Sequence, residues 1–138
     1  MKYFTFDELL SSQIADHHGI INEPFSYHEM VEVYDNLEAL VDNLLDPIRE
    51  RFATPIIVTS GYRCKELNKI VGGVENSQHM SGQAVDFYFQ NFDRKELCEA
   101  FFEISDNFDF DQLIYYKKKG FIHISYQGKD NRHQSFIR

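Results

Sequence analysis

The chain has only two cysteines, Cys64 and Cys98, and no CxxC pair. Two cysteines do not make a disulfide framework, so the fold must rest on a packed core with buried, free thiols, and a single bridge is the most the pair can form. No apolar run approaches the roughly 18–20 residues of a membrane span. The N-terminus, MKYFTFDELLSS, lacks the apolar segment of a signal peptide. These two absences predict a chain that is not inserted in a membrane and is cytoplasmic as synthesised. Basic residues are in deficit, with 14 Lys and Arg against 22 Asp and Glu and a net charge of −8. That balance argues against nucleic acid and anionic membrane surfaces as partners. The one basic run, Lys117-Lys118-Lys119, reads as a solvated hairpin tip, and only secondarily as a contact for a polyanion. Internal repeats and low-complexity segments are missing too.

What is present suits one globular domain spanning 1–138. Apolar residues make up 43% of the 138, including 13 Phe and 8 Tyr. A chain of this length buries roughly two-thirds of the surface that its unfolded form exposes, enough for a core without staples.

A short helix is expected after Thr5, over Phe6 to Ser11, and a loop over 12–25, where Gly19, Asn22 and Pro24 act as breakers. Ser26 and Glu29 form a capping-box pattern. Behind them Met30, Val33, Leu37, Leu40, Val41, Leu44, Leu45, Ile48 and Phe52 recur at helical spacing. Pro47 should kink or interrupt this helix near Asp46. Pro55 to Thr59 reads as a strand broken by Ser60-Gly61, and Arg63 to Val71 as a helix stopped by Gly72-Gly73. Ala84 to Phe89 alternates as a strand. Asp93 and Glu96 make a second capping box for a helix to about Ile104. Asp111 to Tyr116 and Phe121 to Tyr126 form a hairpin around Lys117–Gly120. Helices first and a hairpin last predict an α+β fold, a small antiparallel sheet flanked by helices, over a doubly wound parallel sheet.

Within this frame, strand alternation singles out three residues. Val85 and Phe87 flank Asp86, so period-two alternation sends them to the core and Asp86 to the other face. Ile122 and Ile124 do the same around His123. His79 lies seven residues before Asp86, an odd separation that puts the two on opposite faces of a straight strand. They share a site only if the chain turns between them, and Gly82 offers the place. Two imidazoles and a carboxylate, with a fourth position left for water, are the ligand set of many catalytic zinc sites. His17, His18, His28 and His133 lack such partners and are assigned to the surface. One arginine beside one metal ion can still make a local positive site for an anionic substrate in an otherwise acidic chain.

Taken in order, Ser60-Gly61-Tyr62-Arg63, Ser77-x-His79, Gly82-x-Ala84-Val85-Asp86, Phe110-Asp111-Gln112-Leu113-Ile114-Tyr115 and Ile122-His123-Ile124-Ser125 resemble the zinc D-alanyl-D-alanine carboxypeptidase family. That family includes D-Ala-D-Ala dipeptidases and phage endolysin peptidases, and its fold is shared with lysostaphin-type peptidases and the hedgehog domain. The resemblance covers about residues 30–126. It implies one Zn2+ held by His79, Asp86 and His123. It implies that Arg63 faces the cleft, able to bind a substrate carboxylate or a developing oxyanion, and that Ser77 contacts substrate. The implied chemistry is amide hydrolysis of peptidoglycan peptides, with a general base, usually Glu, beside the metal.

In this sequence the two positions where the family places that Glu hold Gly120 and Tyr116. If Tyr116 pairs with Phe121, His123 pairs with Ile114, and Gln112, a candidate substrate contact, and Tyr116, a candidate catalytic group, share its face. Asp111, the one nearby carboxylate on these strands, falls on the opposite face in that register. Tyr116 can orient water or an oxyanion, but a phenol with a pKa near 10 is a weak base. The expected function is a zinc carboxypeptidase or endolysin-type peptidase. The alternative is a zinc-retaining, catalytically impaired domain that binds wall peptides or a protein partner. Without a leader, action on a cell wall implies release by lysis or another export route, as for a phage- or prophage-encoded enzyme.

Overall fold

A computed structural model describes residues 1–138. Helix α1, Phe6–Leu10, starts at a capping box: the Thr5 hydroxyl accepts from the Glu8 amide, and the Glu8 carboxylate accepts from the Thr5 amide. Helix α2, Gln13–His17, follows with Ser12 as its cap. The stretch read as a loop over 12–25 therefore holds a helical turn, too short for periodicity to register. Helix α3, Tyr27–Leu40, begins at Ser26, whose hydroxyl accepts from the Glu29 amide at 3.1 Å. Glu29 reaches back to the amide of Phe25 instead of Ser26, at 3.2 Å.

The interruption expected near Pro47 takes the form of a change of helix type, not a break in the helical course. A wide π-turn, Val41–Leu45, carries α3 directly into α4, Asp46–Phe52, which has Pro47 in its first turn. Proline lacks the N–H that a regular helix would need there, and its ring collides with the preceding turn. Widening that turn moves the bonding from four residues to five and accommodates both defects.

Strand β1 is Ile56–Ser60, β2 Ala84–Phe89, β3 Gln112–Tyr116, β4 Phe121–Ser125 and β5 Gln134–Ile137. They form one sheet in the order β1-β2-β4-β3-β5. The β1–β2, β2–β4 and β4–β3 pairs are antiparallel. β5 runs parallel to β3, which corrects the purely antiparallel expectation. This four-residue strand follows an irregular stretch and is visible only through its partner. Helix α5, Lys65–Ile70, is shorter than the Arg63 to Val71 expected. Helix α6, Arg94–Asn107, has the Asp93–Glu96 capping box and runs three residues past Ile104. Both cysteines are free, with Cys64 buried.

One sheet face carries Val85, Phe87, Leu113, Ile122 and Ile124, all with no exposed surface, into a core shared with Leu37, Leu40, Leu44 and Ile48 of the long helix and Ile104 of α6. Burying each such side chain contributes about 1.5–3 kcal/mol. The register aligns Asp86 with His123 and His123 with Ile114, and pairs Tyr116 with Phe121. These residues belong to the other face. A sheet that packs on one side only thus leaves its second face free to carry polar chemistry.

Between His79 and β2 the chain turns through Gly82 at φ 75°. A Cβ there would lie 2.6 Å from the Val33 carbonyl oxygen of α3. Asn36 of the same helix donates to the Ser81 carbonyl at 2.8 Å, so α3 clamps this turn from two sides. Gly82→Ala is expected to lower stability by about 2 kcal/mol, from left-handed strain plus the clash. Urea unfolding of the two proteins checks it, with equal midpoints as the contrary result.

Candidate metal centre

His79 sits on a 3-10 turn, Gln78–Ser81, and its own amide donates to the Ser77 hydroxyl at 3.3 Å. The ring is 2% exposed. Its Nδ1 lies 2.7 Å from the carbonyl oxygen of Gly61, and a carbonyl only accepts, so Nδ1 carries the proton. In the neutral ring Nε2 is then a bare lone pair. It is buried, makes no hydrogen bond, and faces Asp86 Oδ1 at 3.3 Å. His123 Nδ1 reaches the same oxygen at 2.8 Å. The two imidazole centroids are 5.2 Å apart.

A lone pair facing a carboxylate oxygen in a buried site is repulsive unless a proton or a metal cation lies between them. The donor atoms of His79, Asp86 and His123 all lie within 4.8 Å of one another. Donors about 2.0–2.1 Å from a tetrahedral zinc stand about 3.3 Å apart. The carbonyl behind His79 is the outer partner that a metal-binding histidine ordinarily has. The residues present therefore fit a divalent metal. Burial opposes the charge on Asp86, but His79 and the hydrogen bond from His123 outweigh it and hold the carboxyl well below its usual range.

Gly61 makes this arrangement possible, since a Cβ there would lie 2.1 Å from the Leu9 carbonyl oxygen. The N-terminal segment packs this closely because Leu9 also accepts from the Tyr62 amide at 2.8 Å. Buried Asn22 donates to the carbonyls of Leu10 and Tyr62 and accepts from the Cys64 amide, all at 2.8 Å. It thereby grips the chain on both sides of Arg63. The Arg63 amide donates to the His79 carbonyl at 3.0 Å, which ties it to the metal turn. Sequence reading left Asn22 as a loop breaker, because nothing local to it shows the chain 40 residues away.

Arg63 donates to Asn68 through Nη1 at 3.1 Å, while its Nε is buried without a partner. Burial lowers its pKa, with Asp86 and Tyr116 pulling the other way, and a guanidinium stays charged regardless. Arg63, Ser77, Gln112, Tyr116 and the three metal-type ligands line one cleft of about 900 Å³. Its floor is the free sheet face, with Ile57, Tyr88, Ile114 and Phe121 as apolar lining. One wall is the Glu8–Ile14 segment, and Lys119 and Arg138 stand at the rim. Gln112 also donates to Gln134 of β5 at 3.1 Å. Tyr116 stacks on Phe121 with centroids 4.6 Å apart.

A model of the family described as Peptidase M15 matches residues 2–125. The chain belongs to this family. Comparison with curated proteins gives no match. M15 members are metal-dependent peptidases of the zinc D-Ala-D-Ala carboxypeptidase type, and this cleft holds a histidine–aspartate–histidine cluster that could bind a metal, with Arg63 in its lining. Of the residues lining it, Glu8 and Asp86 are the carboxylates. Glu8 is engaged with Thr5. Gly120, the other position where a base was sought, is packed against the Arg94 side chain, which a Cβ would meet at 2.6 Å.

Asp111, weighed in the sequence as a base, lies outside the cleft and is fully buried. Its carboxylate accepts from Arg132 Nε and Nη2 at 2.9 and 2.7 Å, the Arg132 amide at 2.9 Å, Gln127 at 2.6 Å and Gln78 at 3.0 Å. Every lone pair is committed. The carboxylate pins the turn that carries His79, through Gln78, and the loop that leads into β5. Burial opposes its charge, but Arg132 and Gln127 hold its pKa well below the ordinary value. A depressed carboxyl pKa stabilises the fold above about pH 4 and loses that contribution as pH falls. Arg132→Ala should therefore cost about 2 kcal/mol at pH 7, and the gap from wild type should close on acidification. Unfolding at stepped pH reads both, and a gap that is unchanged down to pH 2 would contradict the assignment.

Proposed function

We propose that this M15 member is a zinc peptidase that holds one Zn2+ between His79, Asp86 and His123 and hydrolyses peptidoglycan stem peptides, as a D-Ala-D-Ala carboxypeptidase or an endolysin-type enzyme. The observation that carries it is the buried, partnerless Nε2 of His79 aimed at Asp86 and His123 on the floor of a cleft. Zinc, when bound, polarises a scissile carbonyl and makes water nucleophilic near neutral pH. The chain's own groups do the rest. Arg63 is a fixed cation for the substrate's terminal carboxylate or the oxygen that gains charge. The Ser77 hydroxyl and the Gln112 amide are hydrogen-bonding groups along the cleft. Ile57, Tyr88 and Phe121 give the floor a largely apolar surface for a substrate to lie on. The Tyr116 phenol orients an oxygen without serving as a strong base.

Purified protein is expected to carry one zinc per chain and to gain melting temperature with added zinc. His123→Ala should lose both properties and release no amino acid from muropeptides. Metal analysis beside a peptidase assay checks this, and full activity after exhaustive chelation would sink it.

Tyr116 favours a second reading, in which the domain keeps zinc and binds wall peptides or a protein partner with hydrolysis impaired. A positioned general base is worth about 10²- to 10⁴-fold. On this reading wild type turns over slowly, and Tyr116→Glu gains at least about tenfold in kcat. Robust wild-type turnover that Tyr116→Glu lowers would discard the second reading and leave the first.

A further inference from the structure

Arg63 forms no ion pair with any carboxylate of this acidic chain. Its Nε–H has no acceptor either. The one hydrogen bond of the guanidinium goes to a neutral group. Nη1 donates to the side-chain oxygen of Asn68, on α5, at 3.1 Å. Asn68 is buried, and asparagine is mostly an exposed residue, so its place under the cleft asks for a reason.

Both ends of the Asn68 amide are committed, which fixes its orientation. Nδ2 donates to the Val74 carbonyl at 2.9 Å, and a carbonyl only accepts, so Oδ1 is the end turned to Arg63. The Asn68 carbonyl accepts from the Gly73 amide at 2.9 Å. Gly73 is bare where the two side chains meet. A Cβ there would lie 2.1 Å from Asn68 Oδ1 and 2.7 Å from Arg63 Nη1. The loop after α5 thus closes around the pair, and Arg63, Gly73 and Val74 all line the cleft. A carboxylate in place of the amide would be nearly the same size and would hold the guanidinium more strongly. It would also cancel the charge that an incoming anion meets.

We propose that Asn68 is a positioning residue for Arg63, a neutral acceptor that holds the guanidinium in the cleft and leaves its charge free to pair with the carboxylate end of a peptide. This rests on the reading of Arg63 in the proposed peptidase, and it commits that arginine to the terminal carboxylate. Asparagine at this position, where aspartate would fit, separates a binding site from an internal salt bridge.

The test uses zinc-loaded full-length protein, a stem-type peptide ending in one free D-alanine, and the same peptide as its C-terminal carboxamide. Calorimetry reads both affinities, so no hydrolysis is required. Wild type is expected to bind the free acid about tenfold more tightly, as one charge-assisted pair allows. Arg63→Ala should lose that preference. Asn68→Asp should cut it to about twofold or less by neutralising the guanidinium, with zinc content and affinity for the carboxamide unchanged, whereas general damage to the fold would weaken both peptides. The double variant should be no worse than Arg63→Ala alone, because the two residues act as one unit. Gly73→Ala, which alters no charge and forces the pair apart, should lose the preference as well. A preference retained by zinc-loaded Asn68→Asp, or by Gly73→Ala should the first not fold, overturns the role of Asn68 and leaves the peptidase reading intact. So do losses that multiply in the double variant. Equal binding of the two peptides by wild type overturns this inference and the carboxylate role of Arg63, and binding of neither overturns the wall-peptide reading with them.

Discussion

The hydrogen bond from His79 Nδ1 to the Gly61 carbonyl fixes which ring nitrogen faces Asp86 and His123. Without that acceptor the imidazole could present either tautomer, and the cluster would be an ordinary set of polar side chains. Much of the rest of the molecule secures it. The carbonyl is placed by the exit of β1, and Gly61 is bare because Leu9 approaches so closely. Leu9 approaches because Asn22 fastens the N-terminal segment to the backbone around Arg63. The short helices α1 and α2 contribute little core, yet they brace the loop on which both His79 and Arg63 depend.

The sheet divides its labour by face. Antiparallel register puts Asp86 and His123 side by side and backs each with core residues on both sides along its strand. The ligand set is therefore as rigid as the core beneath it, which is what an organised metal site needs. His79 is the exception, since it comes from a turn. That turn is held by Asn36 of α3, by Gln78 to Asp111 and by the backbone of Arg63. The buried Asp111 thus serves the site from behind, and the same carboxylate anchors the loop leading to β5.

Charge in the cleft follows from this layout. Asp86 is flanked by imidazoles, Glu8 is tied to a helix start, and the remaining charged side chains lining the cleft, Arg63, Lys119 and Arg138, are cations. The family membership and the cluster agree on a metal-dependent peptidase, while Tyr116 stands where a stronger base would be sought. The cleft thus offers cations and metal-type donors, and no free carboxylate to act as a base.

Alternation around Asp86 and His123 determined that both face away from the core, because two-residue periodicity is a local property of a strand. The capping patterns at Ser26 and Asp93 likewise marked where helices begin, since each involves residues three apart. The sequence offered the hairpin register only as a condition, Tyr116 opposite Phe121, and the structure adopts it, which sets Asp111 apart from His123. Sequence could not show the π-turn that lets the helix pass Pro47, the parallel β5, or the reach of Asn22. Each depends on a partner distant in the chain or on slack that only packing reveals. The three ligand-type residues were legible because strands and a glycine turn state their directions locally. The tautomer of His79, the burial of Asp111 and the placing of Arg138 at the cleft were decided by tertiary structure, because hydrogen-bond partners and desolvation exist only once remote segments meet.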